Sequence, residues 1–454
     1  MGIDFLTGKP VKSIFFFALP LMASALMQFG YDIVNNIIVG RFVSTEALAA
    51  LGSTGPINGF IIGTTFGLTT GFSISVAQHF GAKRYKEMNH FAGNSIALAV
   101  LVGVLMLTAA QIVSTPILHL IRTPEDIIDL SASYIRILYF AIPFQALYNV
   151  FAGIARAVGD SRRPLWFLLI GIICNCLLTL LFVARFGWGV QGAALATLLS
   201  HGLSCTCAGI YVFRFNPVLK IQKSDLCLKW QTVVIQLKLG VPMSLQFTIT
   251  SLGSMVLQSA VNSFGSTAVA AITAANKAEN IINIPMSAFG VSTATFVGQN
   301  YGAQQHRRIV QTVRRVFVLN LGISVVCSII LSTFGRWIVS LFIKDSTAEL
   351  MQMANQYLLA AALCFSLLSV LFVLRNTLQG LGFTYSNMVA GAAELLGRLA
   401  VAFIFTPLFG FKAVCYAGPV AWLFADVVLL VIYLRKEKYL LRARDFIQPD
   451  CKGY

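Results

Sequence analysis

Charge is what this sequence has least of. Only 11% of its 454 residues are Asp, Glu, Lys or Arg, while 57% are apolar and the mean hydropathy is +0.78. A soluble domain carries about 25% charged and about 45–50% apolar residues. The deficit excludes an ordinary soluble protein. Acids are scarcer than bases, 17 against 33, leaving a net charge of +16. That excess would suit nucleic acid if it formed one patch. It falls instead in short loops between apolar runs, so no nucleic-acid partner is expected. The five histidines, at 79, 90, 119, 201 and 306, are dispersed. Of the nine cysteines, Cys174, Cys176, Cys205, Cys207, Cys327, Cys364 and Cys415 lie inside apolar segments. The two Cys-x-Cys pairs have no His or acid at metal spacing, so neither a metal nor a disulfide is expected. Paired carboxylates at metal spacing, a nucleophile with His and acid, and a phosphate loop are all missing. An enzyme is therefore not expected, and no cofactor beyond a coupling ion. Lys9 and Lys12 lead into an apolar stretch too long for a signal peptide's apolar region.

Long apolar runs are abundant. A helix crosses a bilayer with about 20 mainly apolar residues. Hydropathy predicts an all-α integral membrane protein of twelve spans, at 13–39, 48–79, 90–114, 131–156, 165–185, 189–213, 236–263, 268–298, 311–334, 352–380, 385–409 and 413–434. Lys and Arg gather on the cytoplasmic side. One set of loops carries Lys83, Arg84, Lys86, Arg162, Arg163, Arg214, Lys220, Lys223, Lys229, Arg307, Arg308, Arg314 and Arg315. The opposite set is sparse in bases and holds Glu125, Asp126 and Asp129. Both termini are predicted to be cytoplasmic in a multi-pass plasma-membrane protein, with the basic excess meeting anionic lipid.

The two halves repeat at an offset near 221 residues. Ala77-Gln78-His79-Phe80-Gly81-Ala82 matches Gly298-Gln299-Asn300-Tyr301-Gly302-Ala303, and Ala47-Leu48-Ala49-Ala50 matches Ala268-Val269-Ala270-Ala271. Leu19-Pro20 and Val241-Pro242 open the first span of each half. Gly159 and Gly382 close the fourth. The predicted organisation is a six-helix lobe over 1–213, a cytoplasmic linker over 214–235, and a second six-helix lobe with a short tail over 236–454. Six is even, so the repeat is parallel. Transporters of this build bind substrate between repeats near the midplane and rock the halves to alternate access. Duplication alone would also suit a channel or a membrane enzyme.

These segments, with Phe17-Ala18-Leu19-Pro20, Val39-Gly40-Arg41-Phe42, Arg156-Ala157-Val158-Gly159-Asp160 and Gly189-Val190-Gln191-Gly192-Ala193-Ala194-Leu195-Ala196-Thr197, resemble the multidrug and toxin extrusion (MATE) transporters along nearly the whole chain. The resemblance implies a V-shaped pair of six-helix repeats around a central cavity. It implies antiport of amphipathic or cationic organic compounds against Na+ or H+. A cavity formed by two halves of one chain needs no partner, so a monomer is expected. A flippase for a lipid-linked oligosaccharide is the alternative on the same superfamily frame. Such flippases usually need a more cationic cavity. The embedded acids noted here, four against two bases, favour organic cations.

Ionisable residues inside spans are functional hypotheses by default. Asp32 joins Gln28, Asn35 and Asn36 in one polar stripe, where it either couples transport or ties to a neighbouring helix. The resemblance places the family's first-half acids at Asn35 and Thr179, beside the matches of Asn175 and Thr197. Here those four positions are neutral. Asp32 stands one turn from Asn35 and is a substitute charge, or else coupling has moved elsewhere. Glu279, near Asn276, Asn280 and Asn283, resembles the family's second-half acid, unless Lys277 merely neutralises it. Glu394 and Arg398 have the i, i+4 spacing of a structural ion pair. Asp426 has no partner nearby in sequence and is read either as a link to Arg398 or Lys277 or as a coupling group. Gln246, Ser251, Ser254, Gln258 and Asn262 line span seven, as cavity wall or as helix–helix contact. Met22, Met27, Met243, Met255 and Met286 are read as packing or as adaptable cavity wall. Pro20, Pro242 and Pro285 are expected helix bends.

Overall fold

A computed structural model describes residues 2–43, 45–120, 124–342 and 347–442. Among them the chain is helical and contains no strand. The helices are α1 (Pro10–Phe42), α2 (Thr45–Gly81), α3 (Tyr85–Leu120), α4 (Glu125–Leu138), α5 (Ile142–Ala157), α6 (Arg162–Thr179), α7 (Gly189–Ile210) and α8 (Trp230–Asn262). They continue with α9 (Ser266–Gly302), α10 (His306–Ser340), α11 (Ala348–Leu363), α12 (Phe365–Gly380), α13 (Thr384–Ala400), α14 (Thr406–Phe409), α15 (Phe411–Cys415) and α16 (Ala417–Arg442). Among the described residues eleven segments are long and apolar enough to cross a membrane, and the bent pair α11–α12, taken as one span, makes a twelfth. The twelve expected spans are all present. Several extend past the apolar run by a turn or more, because a helix needs no apolar residues where it leaves the bilayer. Large apolar side chains such as Leu105, Val318, Val326 and Leu396 are more than half exposed, as contact with lipid requires.

The duplication is visible in the backbone. Among the described residues Lys83 (φ 58°) and Gln304 (φ 57°) are the non-glycine residues with positive φ, and they occupy matching places at the 221-residue offset. Gly189 (φ 54°) and Gly410 (φ 61°) match in the same way. Both α6 and α13 run into a wide π-type turn, Leu180–Arg185 and Val401–Phe405. Gly159 (φ 90°) and Gly382 (φ 86°) end span four and span ten in the left-handed region that favours glycine.

The three prolines lie inside helices that continue through them. The sharp break, 53°, comes in span ten at Cys364, where there is no proline. A break frees carbonyls, which lipid cannot satisfy. Ser328 of α10 donates to Ala362 O at 2.6 Å and so satisfies one of them.

The chain forms two compact units. One comprises Met1–Ile3 and Leu19–Ser244, the other Asp4–Ala18 and Leu245–Tyr454. These packing units differ from the sequence halves at both seams. Residues 214–235 and the start of α8 belong to the first unit because α3 holds them. Asn94 donates to the Asp225 and Cys227 carbonyls and accepts from Lys229 N. Gln236 donates to Phe91 O and Ser95 Oγ. Gly71 lets α2 approach the Gly240 backbone of α8, where a Cβ would sit 2.4 Å from Cα. In the second unit Phe5 packs edge-on against Phe17 and Phe296, and Asn300 and Arg308 donate to its carbonyl.

Candidate functional site

The first unit holds a small polar cluster between α6 and α7. Thr179 donates to Asn175 Oδ1 at 3.0 Å, one turn back on the same helix face. Asn175 Nδ2 donates to Thr197 Oγ1 at 3.2 Å, and Thr197 donates to Ala193 O. All three side chains are buried. The spacing argument therefore brings the right residues together. Their hydrogen bonds close on one another, however, and no carboxylate among the described residues takes part. On α1, Asn35 Oδ1 is buried without a partner, and Gln28 is exposed. The side chains of Asp32 and Asn36 lie outside the described residues.

Among the described residues, the second unit holds the buried carboxylates. Glu279, on α9, is buried, and the Tyr357 hydroxyl of α11 lies 2.7 Å from its Oε2. The same hydroxyl lies 2.6 Å from Asn276 Oδ1, one turn back along α9. Among the described residues no cation is within ion-pair distance of Glu279. Lys277 is exposed and sits over the Phe342 ring at 5.6 Å, so it does not neutralise Glu279. Asn283, another turn along α9, is half-buried.

Deeper among α12, α13 and α16 is a second charged group. Arg398 Nη2 is 3.9 Å from Glu394 Oε2, and its Nη1 donates to Thr250 O at 2.8 Å. The i, i+4 pair exists, but it is the looser of two. Arg375 of α12 hydrogen-bonds Glu394 Oε1 directly. Sequence reading overlooked Arg375, although a base inside an apolar run was signal enough. Counting it reduces the acid excess on which the choice of organic cations leaned. Asp426, on α16, is 6% exposed, and both carboxyl oxygens are buried without a hydrogen-bond partner. The expected link to Arg398 or Lys277 is not made as a hydrogen bond, and the charges of Arg375 and Glu394 act on Asp426. Arg398 also acts on Glu279, so electrostatic interactions run from α9 to α16.

On α8, Gln246 is buried, whereas Ser254, Gln258 and Asn262 are exposed and Gln258 donates to Asn262 at 2.9 Å. Met243 and Met286 are core residues, and Met255 is exposed.

The MatE family model matches residues 20–181 and again 242–404, in step with the internal repeat. The chain belongs to the MatE family. MatE proteins are membrane transporters, the multidrug and toxin extrusion family. Among curated relatives, the chain is 29% identical to the probable multidrug resistance protein YoeA of Bacillus subtilis (strain 168), over 87% of this chain and 86% of that one. It is 27% identical to the probable multidrug resistance protein YpnP of the same strain, over 95% and 96%. Identity to the multidrug export protein MepA of Staphylococcus aureus (strain N315) is 23%, over 96% of both. The fold matches an outward-facing multidrug resistance MATE transporter with a TM-score of 0.91 at 22% identity, over 97% of this chain and 98% of that one. It matches a MATE in the bent conformation with a TM-score of 0.90 at 22% identity, over the same shares.

Within this MatE chain, Tyr357 is the other residue the sequence did not disclose. It lies 78 positions from Glu279, and no local spacing announces the pair. The helix pairing of α9 with α11 does.

Proposed function

We propose that this chain is a secondary active efflux antiporter in the plasma membrane, exporting amphipathic or cationic organic compounds from the cytoplasm, with Glu279 as the coupling carboxyl. The observation that carries this reading is Glu279 itself. It is a buried acid inside a span, hydrogen-bonded by a tyrosine hydroxyl and, among the described residues, without a cation at ion-pair distance. Such a group is costly to keep ionised and is suited to gaining and losing an ion. The multidrug names of the relatives support the substrate class.

A proton fits this site better than Na+. Tyr357 has one O–H and two acceptor neighbours, Glu279 Oε2 and Asn276 Oδ1. A protonated Glu279 donates to the Tyr357 oxygen, which frees the tyrosine proton for Asn276. Both contacts are then hydrogen bonds. Releasing that proton leaves Tyr357 to turn toward the carboxylate. Alternating access of the two repeats would couple this exchange to substrate export, in a monomer with both termini cytoplasmic.

The test is active efflux of a fluorescent organic cation from cells lacking their own pumps. Wild type, Asp32→Asn and Glu279→Gln are compared at matched expression, with Na+ and pH gradients varied separately. The proposal expects pH-driven efflux that Glu279→Gln abolishes and Asp32→Asn leaves largely intact. Loss with Asp32→Asn alone moves coupling to the first unit. Efflux driven by Na+ alone removes the proton. If wild type extrudes no dye, the lipid-linked oligosaccharide flippase becomes the reading to pursue.

A further inference from the structure

We propose that Asp426 is a second proton-binding carboxyl, separate from Glu279, and that Arg375 exchanges between Glu394 and Asp426 as that proton leaves and returns. The argument begins with the accounting of charge. Arg375, Glu394 and Arg398 form a connected group with two positive charges and one negative. All three side chains are largely buried, Glu394 to 3% exposure. One positive charge is left over. An ionised Asp426 would balance it, and α12 and α13, which carry Arg375 and Glu394, both pack against α16, which carries Asp426.

Yet Asp426 has no hydrogen bond to either oxygen. A buried carboxylate without donors is severely penalised. In the arrangement seen here Asp426 is therefore the neutral acid, and Arg375 is committed to Glu394. Arg375 nevertheless keeps a spare donor, because its Nε is buried and unpartnered. When the proton leaves Asp426 for water, Arg375 can turn that donor toward the new carboxylate while Arg398 retains Glu394. The O–H bond of Asp426 breaks, the proton goes to solvent, and the cluster falls from one net positive charge to none. Reprotonation from water reverses each step.

A metal cation is the rival ligand for an orphaned carboxylate. Na+ asks for several oxygen ligands, and the nearest charged groups include guanidiniums, which repel it. A proton needs no coordination shell. The elements packed on α16 supply few other charges. Arg375 comes from α12, Glu394 and Arg398 from α13. From α10, Arg314 is already paired with Glu437, at 2.7 Å, about three turns beyond Asp426 on α16. Tyr433 lies on α16 itself and contacts Phe317. α11 brings Tyr357, engaged with Glu279, and α15 brings Cys415.

The assignment stands apart from drug export, because it concerns a binding equilibrium of the resting protein. Infrared difference spectroscopy on the purified full-length transporter in detergent reads it directly, through the C=O stretch of a protonated carboxyl. The expected result is a band at neutral pH that Asp426→Asn removes, that Glu279→Gln leaves in place, and that declines as pH is raised; Glu394→Gln, which frees Arg375 for Asp426, should move the decline to lower pH. In Arg375→Gln the decline should move to higher pH by roughly one to three units, since an adjacent opposite charge favours the ionised form by about that much. Arg375→Lys, which keeps the charge if Gln disturbs the fold, should move it less. A spectrum unchanged by Asp426→Asn would overturn the proposal. So would a band lost on adding Na+ at fixed pH, or a titration that Arg375→Gln leaves where it was.

Discussion

Arg375 of α12 holds the Glu394 carboxylate more closely than Arg398 does, although Arg398 lies on the same helix as Glu394. Glu394 is thus the hub, with a guanidinium on each oxygen. Removing the hub strands two buried cations, whereas removing Arg375 leaves Glu394 with Arg398. Breaking a buried pair costs about 3–5 kcal/mol. Glu394→Gln should fall in that range, and Arg375→Met should cost distinctly less. Thermal melting of the purified protein in detergent decides. Equal losses, or a larger one for Arg375→Met, would show that Glu394 is not the hub.

Tyr357 should matter to transport less than Glu279, and in a different way. Tyr357→Phe removes one hydrogen bond to a group that cycles between charged and neutral. A bond to a charged group is worth about 1.5–3 kcal/mol. The phenylalanine variant should therefore still extrude dye, with its pH profile displaced. Because the hydroxyl would stabilise the ionised carboxyl, its loss should favour the protonated form, and the profile should move to higher pH. A displacement to lower pH would contradict donation to Glu279.

The Asn175–Thr179–Thr197 cluster makes the opposite forecast. Its hydrogen bonds are complete and neutral. Thr179→Val deletes the donor to Asn175 and should cost about 1 kcal/mol of stability, with dye efflux within about twofold of wild type at matched expression. Efflux lost at unchanged melting temperature would make these oxygens ligands, as the family resemblance implies for their positions.

Much of the fold was legible in the sequence because the bilayer imposes it. Span length follows from membrane thickness, and the repeat shows in matched segments such as Gly298-Gln299-Asn300-Tyr301-Gly302-Ala303. The polar network was legible only where partners share a helix. Glu394 and Arg398 announced themselves at i, i+4, and so did Asn175 and Thr179. Arg375, Tyr357 and the isolation of Asp426 depend on which helices lie side by side, which no local spacing records. The break at Cys364 escaped for the same reason. The break lies away from any proline, where Ser328 of another helix can cap Ala362 O.

Close backbone approach offers a further check, independent of charge. At Gly71 a Cβ would meet Gly240 Cα at 2.4 Å and Leu239 O at 2.7 Å. Backbone cannot rotate away as a side chain can. Gly71→Leu should therefore force α2 and α8 apart and lower the melting temperature. Gly52→Leu, at a site with nothing within 4 Å, should not. Similar losses for both would mean that α2 responds to bulk generally, and not to contact with α8.

The segment before α1 has a pH dependence whose sign can be fixed. Burial alone would raise the Asp4 carboxyl. Hydrogen bonds from the Thr7 side chain and from the Leu6 and Thr7 amides, with the Arg308 charge nearby, outweigh it and hold Asp4 below the usual carboxylate range. Leu6 N lies 2.8 Å and Thr7 N 3.2 Å from Asp4 Oδ1. A lowered folded value means the turn is stabilised above the unfolded carboxylate range and loses that stability as pH falls through the folded value. At neutral pH, Asp4→Asn should therefore mimic acid: the Leu6 and Thr7 amides should exchange faster with deuterium than in wild type, while the α3 amides stay as protected as before. Wild-type protection at Leu6 and Thr7 should fade only in acid, below the ordinary carboxylate range. Amides equally protected in wild type and Asp4→Asn at neutral pH would mean that Arg308, which also donates to the Phe5 and Gly8 carbonyls, holds this segment without help from the carboxylate.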